Sequence, residues 1–252
     1  MKVDVIMAPT FLKKDELKGC LCAVVDVLRA TSTIITALAS GAIEVHPCMT
    51  VEEAKVSVAK LPRDSYLLGG EEMGENIPGF DLGNSPLEYM SRKAVGGKVI
   101  YSYTTNGTGA IRKAFEKSGN PAYIAALLNV SAVSAAIAKT ASAGKFEGII
   151  ILCAGRQGKP SEEDNFCAGL MVDALTRGLR ACGVVPGLGD TASTVAKDAV
   201  SNRGHSLGVL RSSEHGQYLE SLGFEDDLVF ASRIDLYDVV PVFDGERVIL
   251  PK

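Results

Sequence analysis

Short runs rich in Val, Ile and Leu alternate along the chain with segments in which apolar positions recur every three to four residues. The first kind predicts strands at Val3–Met7, Leu21–Asp26, Ile43–His46, Tyr66–Gly69, Lys98–Tyr103, Ala122–Ala125, Gly148–Cys153, Ser206–Leu210 and Leu228–Ala231. Val239–Phe243 and Arg247–Leu250 read as a closing hairpin around the turn dipeptide Asp244-Gly245. The second kind predicts helices at Ser32–Ser40, Val51–Lys60, Pro86–Ser91, Gly109–Ser118, Ser131–Ala143, Glu163–Ala181, Ala192–Asn202 and Glu214–Leu222. Glu163–Ala181 is the clearest, with Phe166, Leu170, Ala174 and Leu175 on one stripe, and that stripe is core. Alternating strands and helices predict an α/β protein, layered α/β/α around a mixed, largely parallel sheet.

No internal repeat and no long linker divides the chain, so residues 1–252 read as a single unit with two lobes left open. Gly183, Pro186, Gly187 and Gly189 cluster in Gly183–Ala192, which reads as a lobe boundary or an active-site loop.

Composition narrows the partners. With 46% hydrophobic and 22% charged residues the chain is an ordinary globular sequence, neither disordered nor fibrous. Against 30 Asp and Glu stand 26 Lys and Arg, and no basic run exceeds two residues, which argues against nucleic acid. The longest apolar run, Gly148–Ala154, falls far short of the ~20 residues that span a bilayer. Asp4 interrupts the apolar stretch at the N-terminus, unlike a signal peptide. A cytoplasmic protein without a membrane partner is expected, and homo-oligomerisation stays open. Cys20 and Cys22 share one face of a strand and read as core, while His46, His205 and His215 lack zinc-type spacing.

Four strand-to-helix loops carry polar chemistry. In the first, an apolar strand delivers Asp26 to its C-terminal end, where open α/β sheets place their sites. Arg29 adds a planar cation, and Thr31, Ser32 and Thr33 bring hydroxyls to a helix start, a natural phosphate site. The ordinary alternative is a helix capped by Thr31 or Ser32 with Arg29 paired to Asp26, and the residues leave both open. The second loop runs from Leu68-Gly-Gly-Glu-Glu72 through Asp81, Asn84 and Ser85, and presents hard oxygen donors suited to Mg²⁺. Ser85-Pro86 looks like an N-cap followed by an N1 proline, and a plain solvated loop is the alternative. The third, Tyr103–Gly109, offers Thr104, Thr105, Asn106, Gly107 and Thr108 between a strand and a helix, the plan of a phosphate cradle or of ordinary turn chemistry. The fourth, Cys153–Asp164, supplies Arg156 and Lys159 for an anion, and Glu162, Glu163 and Asp164 for a metal or for the helix dipole alone.

Common motifs are missing. Gly155–Ser161 is too short before Lys159 for a Walker A loop, and Pro160 follows it. A cysteine phosphatase built on Cys153 would need arginine where Lys159 stands. Asp26-Val27-Leu28 lacks a second aspartate of a DxD pair, and Arg203-Gly204-His205 reverses the order of histidine phosphatases. Gly187–Ala192 nominally fits GxGxxA but follows Pro186.

Together, VVDVLRATSTIITALASGA, LLGGE, GFDLGNSPLEY, TTNGT and the CAG…EED…CAGLMVDAL run resemble the 2-phosphosulfolactate phosphatase family, as does the tail around Phe224–Phe243. The resemblance implies Mg²⁺-dependent hydrolysis of (R)-2-phospho-3-sulfolactate to 3-sulfolactate and phosphate, a step toward coenzyme M. On that reading Asp26 and Glu71 lead as metal ligands, with Glu163 and Asp164 as further ligands or a water-orienting base. Thr31, Ser32, Thr33 and Arg29 would hold the phosphoryl group, and Asn84, Ser85, Thr104, Thr105, Asn106, Gly107 and Thr108 would line the other anion subsites. A phospho-aspartyl intermediate on Asp26 is the mechanistic alternative. A nucleotide-dependent oxidoreductase built on Gly187–Ala192 and a catalytically silent anion-binding protein are the rival functions.

Overall fold

The computed structural model describes residues 1–251. Its strands are β1 (Lys2–Ile6), β2 (Leu21–Val25), β3 (Glu44–Cys48), β4 (Tyr66–Glu72), β5 (Glu75–Asn76), β6 (Val99–Tyr103), β7 (Ala122–Ala125), β8 (Gly148–Cys153), β9 (Gly187–Leu188), β10 (Val242–Phe243) and β11 (Val248–Ile249). The helices are α1 (Ala30–Ala39), α2 (Val51–Val58), α3 (Arg92–Val95), α4 (Gly107–Ser118), α5 (Val130–Ala143), α6 (Glu162–Ala181), α7 (Asp190–Ser201), α8 (Ser206–Ser212), α9 (Glu214–Ser221) and α10 (Glu225–Ala231).

Side chains along β2 and β8 alternate between two cores, as pleating requires. Leu21, Ala23 and Val25 of β2 and Ile149, Ile151 and Cys153 of β8 pack under α5, α6 and α7. Cys22, Val24, Ile150 and Leu152 face the other way, against Ile34, Ile35 and Leu38 of α1 and Ala110, Ile111 and Ala114 of α4. Cys20 and Cys22 both lie in this second core, with free thiols. A layered α/β/α architecture results, because strands buried on both faces need helices on each side.

The strands form one sheet in the order β5-β4-β6-β3-β11-β10-β7-β2-β8-β1-β9. Two parallel groups, β4-β6-β3 and β7-β2-β8-β1-β9, are joined by the antiparallel hairpin β10–β11. Asp244 Oδ1 accepts the N–H groups of Glu246 and Arg247 and closes its turn. Three successive antiparallel pairings reverse the second group against the first, so on a flat sheet their C-terminal ends would lie at opposite edges. In the structure, residues at or just after the C-terminal ends of β2, β4, β6 and β8 nevertheless line one cleft.

Two sequence expectations are corrected. Ser206–Leu210 and Leu228–Ala231 are not strands but parts of α8 and α10. A short apolar run has no periodicity long enough to separate the two states, and Glu225, Asp226 and Asp227 load the first turn of α10 with the charge that its N-terminus favours. Residues 183–192 form a turn, the edge strand β9 and the start of α7, packed on β1.

Candidate active site

The cleft is lined by Asp26, Leu28, Arg29, Glu71, Met73, Gly74, Asn84, Thr104, Thr105, Asn106, Arg156, Gln157, His215 and Tyr218. Asp26 follows the last residue of β2, and its backbone and side chain are both fixed. Its carbonyl accepts Thr31 N at 3.0 Å and Thr31 Oγ1 at 2.8 Å, while Oδ1 accepts Ala30 N at 3.1 Å. Gly107 lies so close that a Cβ there would stand 2.7 Å from Asp26 Oδ2, which is why the loop after β6 needs a glycine at that point. Burial pushes the Asp26 carboxyl up to about 6, with Glu71 and Glu163 adding to the rise and His215 and Ala30 N–H opposing it.

Glu71 reaches the cleft from β4, with Oε1 accepting Thr105 N at 2.8 Å and Oε2 accepting Thr105 Oγ1 at 3.2 Å and Gly74 N. This carboxylate fixes both the loop after β6 and the β4–β5 turn, so it organises the cleft wall as well as facing the cavity. Asn84 Oδ1 is buried without a hydrogen-bond partner.

Arg29 lines the cleft but is not paired with Asp26. Its Nη1 donates to Asp227 Oδ2 at 2.8 Å and its Nη2 to Gly74 O at 2.9 Å, and Phe224 covers the guanidinium, with Cζ 4.2 Å from the ring centre. Ser85 donates its hydroxyl to the other oxygen of Asp227. The Arg29–Asp227 pair is dry, with 2% and 1% of the side chains exposed, so it fixes the cleft rim more than it offers charge to a ligand.

Glu163 and Asp164 begin α6 but diverge in role. Glu163 Oε1 lies 3.3 Å from His215 Nδ1, and Oε2 is buried without a partner. It opens onto an adjoining cleft with Arg156, Lys159, Glu214 and His215. Asp164 accepts Val27 N at 2.8 Å, Gly155 N at 3.0 Å and Ser161 Oγ at 3.1 Å. Burial, with Asp26 and Glu163 nearby, pushes its carboxyl well above the ordinary range.

The remaining sequence candidates fall into two groups. Thr104, Thr105 and Asn106 line the cleft with Asp26 and Glu71. Thr31, Ser32 and Thr33 do not: they are buried, and their hydroxyls bond Asp26 O, Val27 O and Asn84 O. Their hydroxyls hold loops in place beside the cleft and do not line it. Ser85 and Thr108 are also engaged inside the protein, Ser85 with Asp227 and Thr108 with Thr104. Gly107 acts through its missing side chain, and Asp164, expected from sequence as a ligand or base, anchors the backbone at Val27 and Gly155. Gly187–Ala192 is remote from the cleft lining, and the start of α7 already holds a carboxylate, with Asp4 Oδ1 3.4 Å from Ala192 N.

His215, Tyr218 and Asp227 escaped sequence reasoning. His215 and Tyr218 lie on α9, where no local motif marks them, and Asp227 lies on α10 within the family-like tail, where nothing singled it out. Tyr218 donates its hydroxyl to Met73 O at 2.9 Å, which ties α9 to the β4–β5 turn over the cleft.

Comparison with known proteins meets this geometry. A family model described as 2-phosphosulpholactate phosphatase matches residues 6–246. The chain belongs to the 2-phosphosulfolactate phosphatase family. Relatives named probable 2-phosphosulfolactate phosphatase occur in Thermotoga petrophila, at 39% identity over 95% of this chain and 94% of theirs. In Pseudothermotoga lettingae the figures are 38% over 98% of both chains, and in Symbiobacterium thermophilum 38% over 94% and 96%. The match to the 2-phosphosulfolactate phosphatase family takes in every loop that lines the cleft, from Asp26 to Tyr218.

Proposed function

We propose that this chain is an Mg²⁺-dependent phosphatase that hydrolyses (R)-2-phospho-3-sulfolactate to 3-sulfolactate and inorganic phosphate. The observation that carries the reading is the meeting of Asp26, Glu71 and Thr104–Asn106 in one cleft, in a chain of this family.

The donor set suits a hard divalent cation. Asp26 is crowded by Glu71 and Glu163, and Asn84 Oδ1 is an unpartnered acceptor on the same lining. Asp26 and Glu71 would hold the ion. No group of three or more His, Cys, Asp or Glu side chains is arranged for a metal among the described residues, so water and substrate oxygens would complete the shell, as Mg²⁺ prefers. When bound, such an ion would supply positive charge to offset that of the phosphoryl oxygens.

The chain's own groups do the rest. His215, its Nδ1 3.3 Å from Glu163 Oε1, accepts the proton of the attacking water as the new oxygen–phosphorus bond forms; the bond from phosphorus to the C2 oxygen breaks, and that oxygen takes up a proton from solvent to leave as the alcohol. Thr105 and Asn106 orient the substrate's anionic groups, and Arg29 secures the rim. We carry a role in coenzyme M synthesis and a cytoplasmic location as part of the same reading. The family motifs support the first, and the six free thiols, a state kept by reducing compartments, support the second.

The test is phosphate release from a panel of phosphorylated hydroxy acids. Release should require Mg²⁺, stop with EDTA, return on adding Mg²⁺ back, and favour substrates with a second strong anion. Binding of these compounds without release would point instead to a silent anion-binding protein.

A further inference from the structure

Two arginines line the cleft, and they differ in what already holds them. Arg29 has a buried carboxylate, a carbonyl and an aromatic ring around its guanidinium. Arg156 has no buried acid. Its Nη1 meets Glu214 Oε1 at 2.9 Å, but the Glu214 side chain is 87% exposed whereas that of Arg156 is 18% exposed. A pair with one partner in solvent is weak and easily exchanged. No other hydrogen bond to the Arg156 guanidinium occurs among the described residues.

Arg156 is nonetheless held in place. Its backbone N–H donates to Lys159 O, and Lys159 N–H returns a bond to Arg156 O, each at 2.9 Å. Gln157 N donates to Asn106 Oδ1 at 3.1 Å and ties this turn to the loop after β6. The guanidinium stacks on Tyr218, with Cζ 4.5 Å from the ring centre, and Tyr218 is itself anchored to Met73. Backbone and ring fix the plane of the fork, so little freedom is lost when it takes an anion.

We propose that Arg156 is the specificity residue that binds the sulfonate of the substrate, exchanging Glu214 for it. This rests on the phosphatase reading above and deepens it. The phosphoryl group belongs beside Asp26 and Glu71, which line the first cleft alone, whereas Arg156 lines both that cleft and the adjoining one. A sulfonate remains ionised and presents three oxygens to a fork-shaped cation. Exchange of one exposed acid for a ligand anion is nearly neutral in charge, and selectivity then reflects what is missing when a substrate lacks the sulfonate.

The experiment compares the full chain with Arg156→Gln, Arg156→Lys and Glu214→Gln on 2-phospho-3-sulfolactate and on 2-phospholactate, which keeps the phosphate and carboxylate. Arg156→Gln should lower kcat/KM for the sulfonated substrate about 10- to 100-fold, mainly through KM, and change the value for 2-phospholactate by less than about threefold. Arg156→Lys, which keeps charge but not the fork, should fall between, and Glu214→Gln should leave the sulfonated KM unchanged or lower it. In parallel, 3-sulfolactate should raise the Tm of the wild type but not of Arg156→Gln, which also verifies that the variant folds. Equal losses on both substrates, or an unmoved KM for the sulfonated one, overturn the Arg156 assignment while leaving the phosphatase reading intact. A wild type that hydrolyses neither substrate overturns both.

Discussion

Asp164 Oδ1 accepts the backbone N–H of Val27 at 2.8 Å across 137 positions of sequence. Because Oδ2 holds Gly155 N, one carboxylate fixes the chain just after β2 and just after β8, two neighbouring strands that feed the cleft. Asp164→Asn preserves size but turns one acceptor into a donor facing an N–H. The variant should lose about 1–3 kcal/mol of stability in urea unfolding and lose activity along with it. A variant as stable as the wild type would remove the anchoring role.

Asp26 supplies a pH signature. Its folded value of about 6 lies above the ordinary 3.8, so the protonated carboxyl is favoured in the folded state. The resulting stability is fully present below about pH 3.8 and is lost as pH rises through about 6. With divalent ions removed, the wild-type Tm should therefore fall between pH 4 and 7 relative to Asp26→Asn, by a few degrees. Asp26→Asn should also cut turnover about 10³-fold or more with Mg²⁺ present. Parallel Tm profiles would contradict the first expectation, and near-normal turnover the second.

Gly107 tests the contact behind the site. An added Cβ would meet Ala30 and stand 2.7 Å from Asp26 Oδ2. Gly107→Ala should cost about 1–3 kcal/mol through overpacking and lower kcat about tenfold or more by displacing the carboxylate. Gly109→Ala, with open space at its Cβ, is the control and should leave kcat nearly unchanged.

The buried Arg29–Asp227 pair predicts a larger thermodynamic effect. Asp227→Ala leaves a guanidinium 2% exposed without its counter-charge, and should destabilise the chain by about 3–5 kcal/mol in denaturant titration. Because Asp227 also holds Ser85, proteolysis near residues 84–90 should accelerate in this variant.

Much of this was legible in the chain. Ala122–Ala125 and Gly148–Cys153 have the bounds their apolar runs suggested, since strands buried on both faces leave unbroken hydrophobic stretches. Asp26 and Glu71 stood out because they terminate or extend such strands. Thr31, Ser32 and Thr33 have the right composition for an anion site, yet sequence does not reveal which hydroxyls already serve the backbone. The site residues of α9 and α10 were hidden for another reason. Tertiary packing alone brings His215 to Glu163, and nothing in their separate neighbourhoods encodes it.

The hairpin of β10 and β11 leaves the ribosome after every other strand. Until it does, the facing edges of β3 and β7 have no neighbours for their peptide groups, and bare edges invite pairing between nascent copies. Translation arrested before Val242 should accordingly yield a sticky, chaperone-dependent product even though every residue of the cleft has already been made.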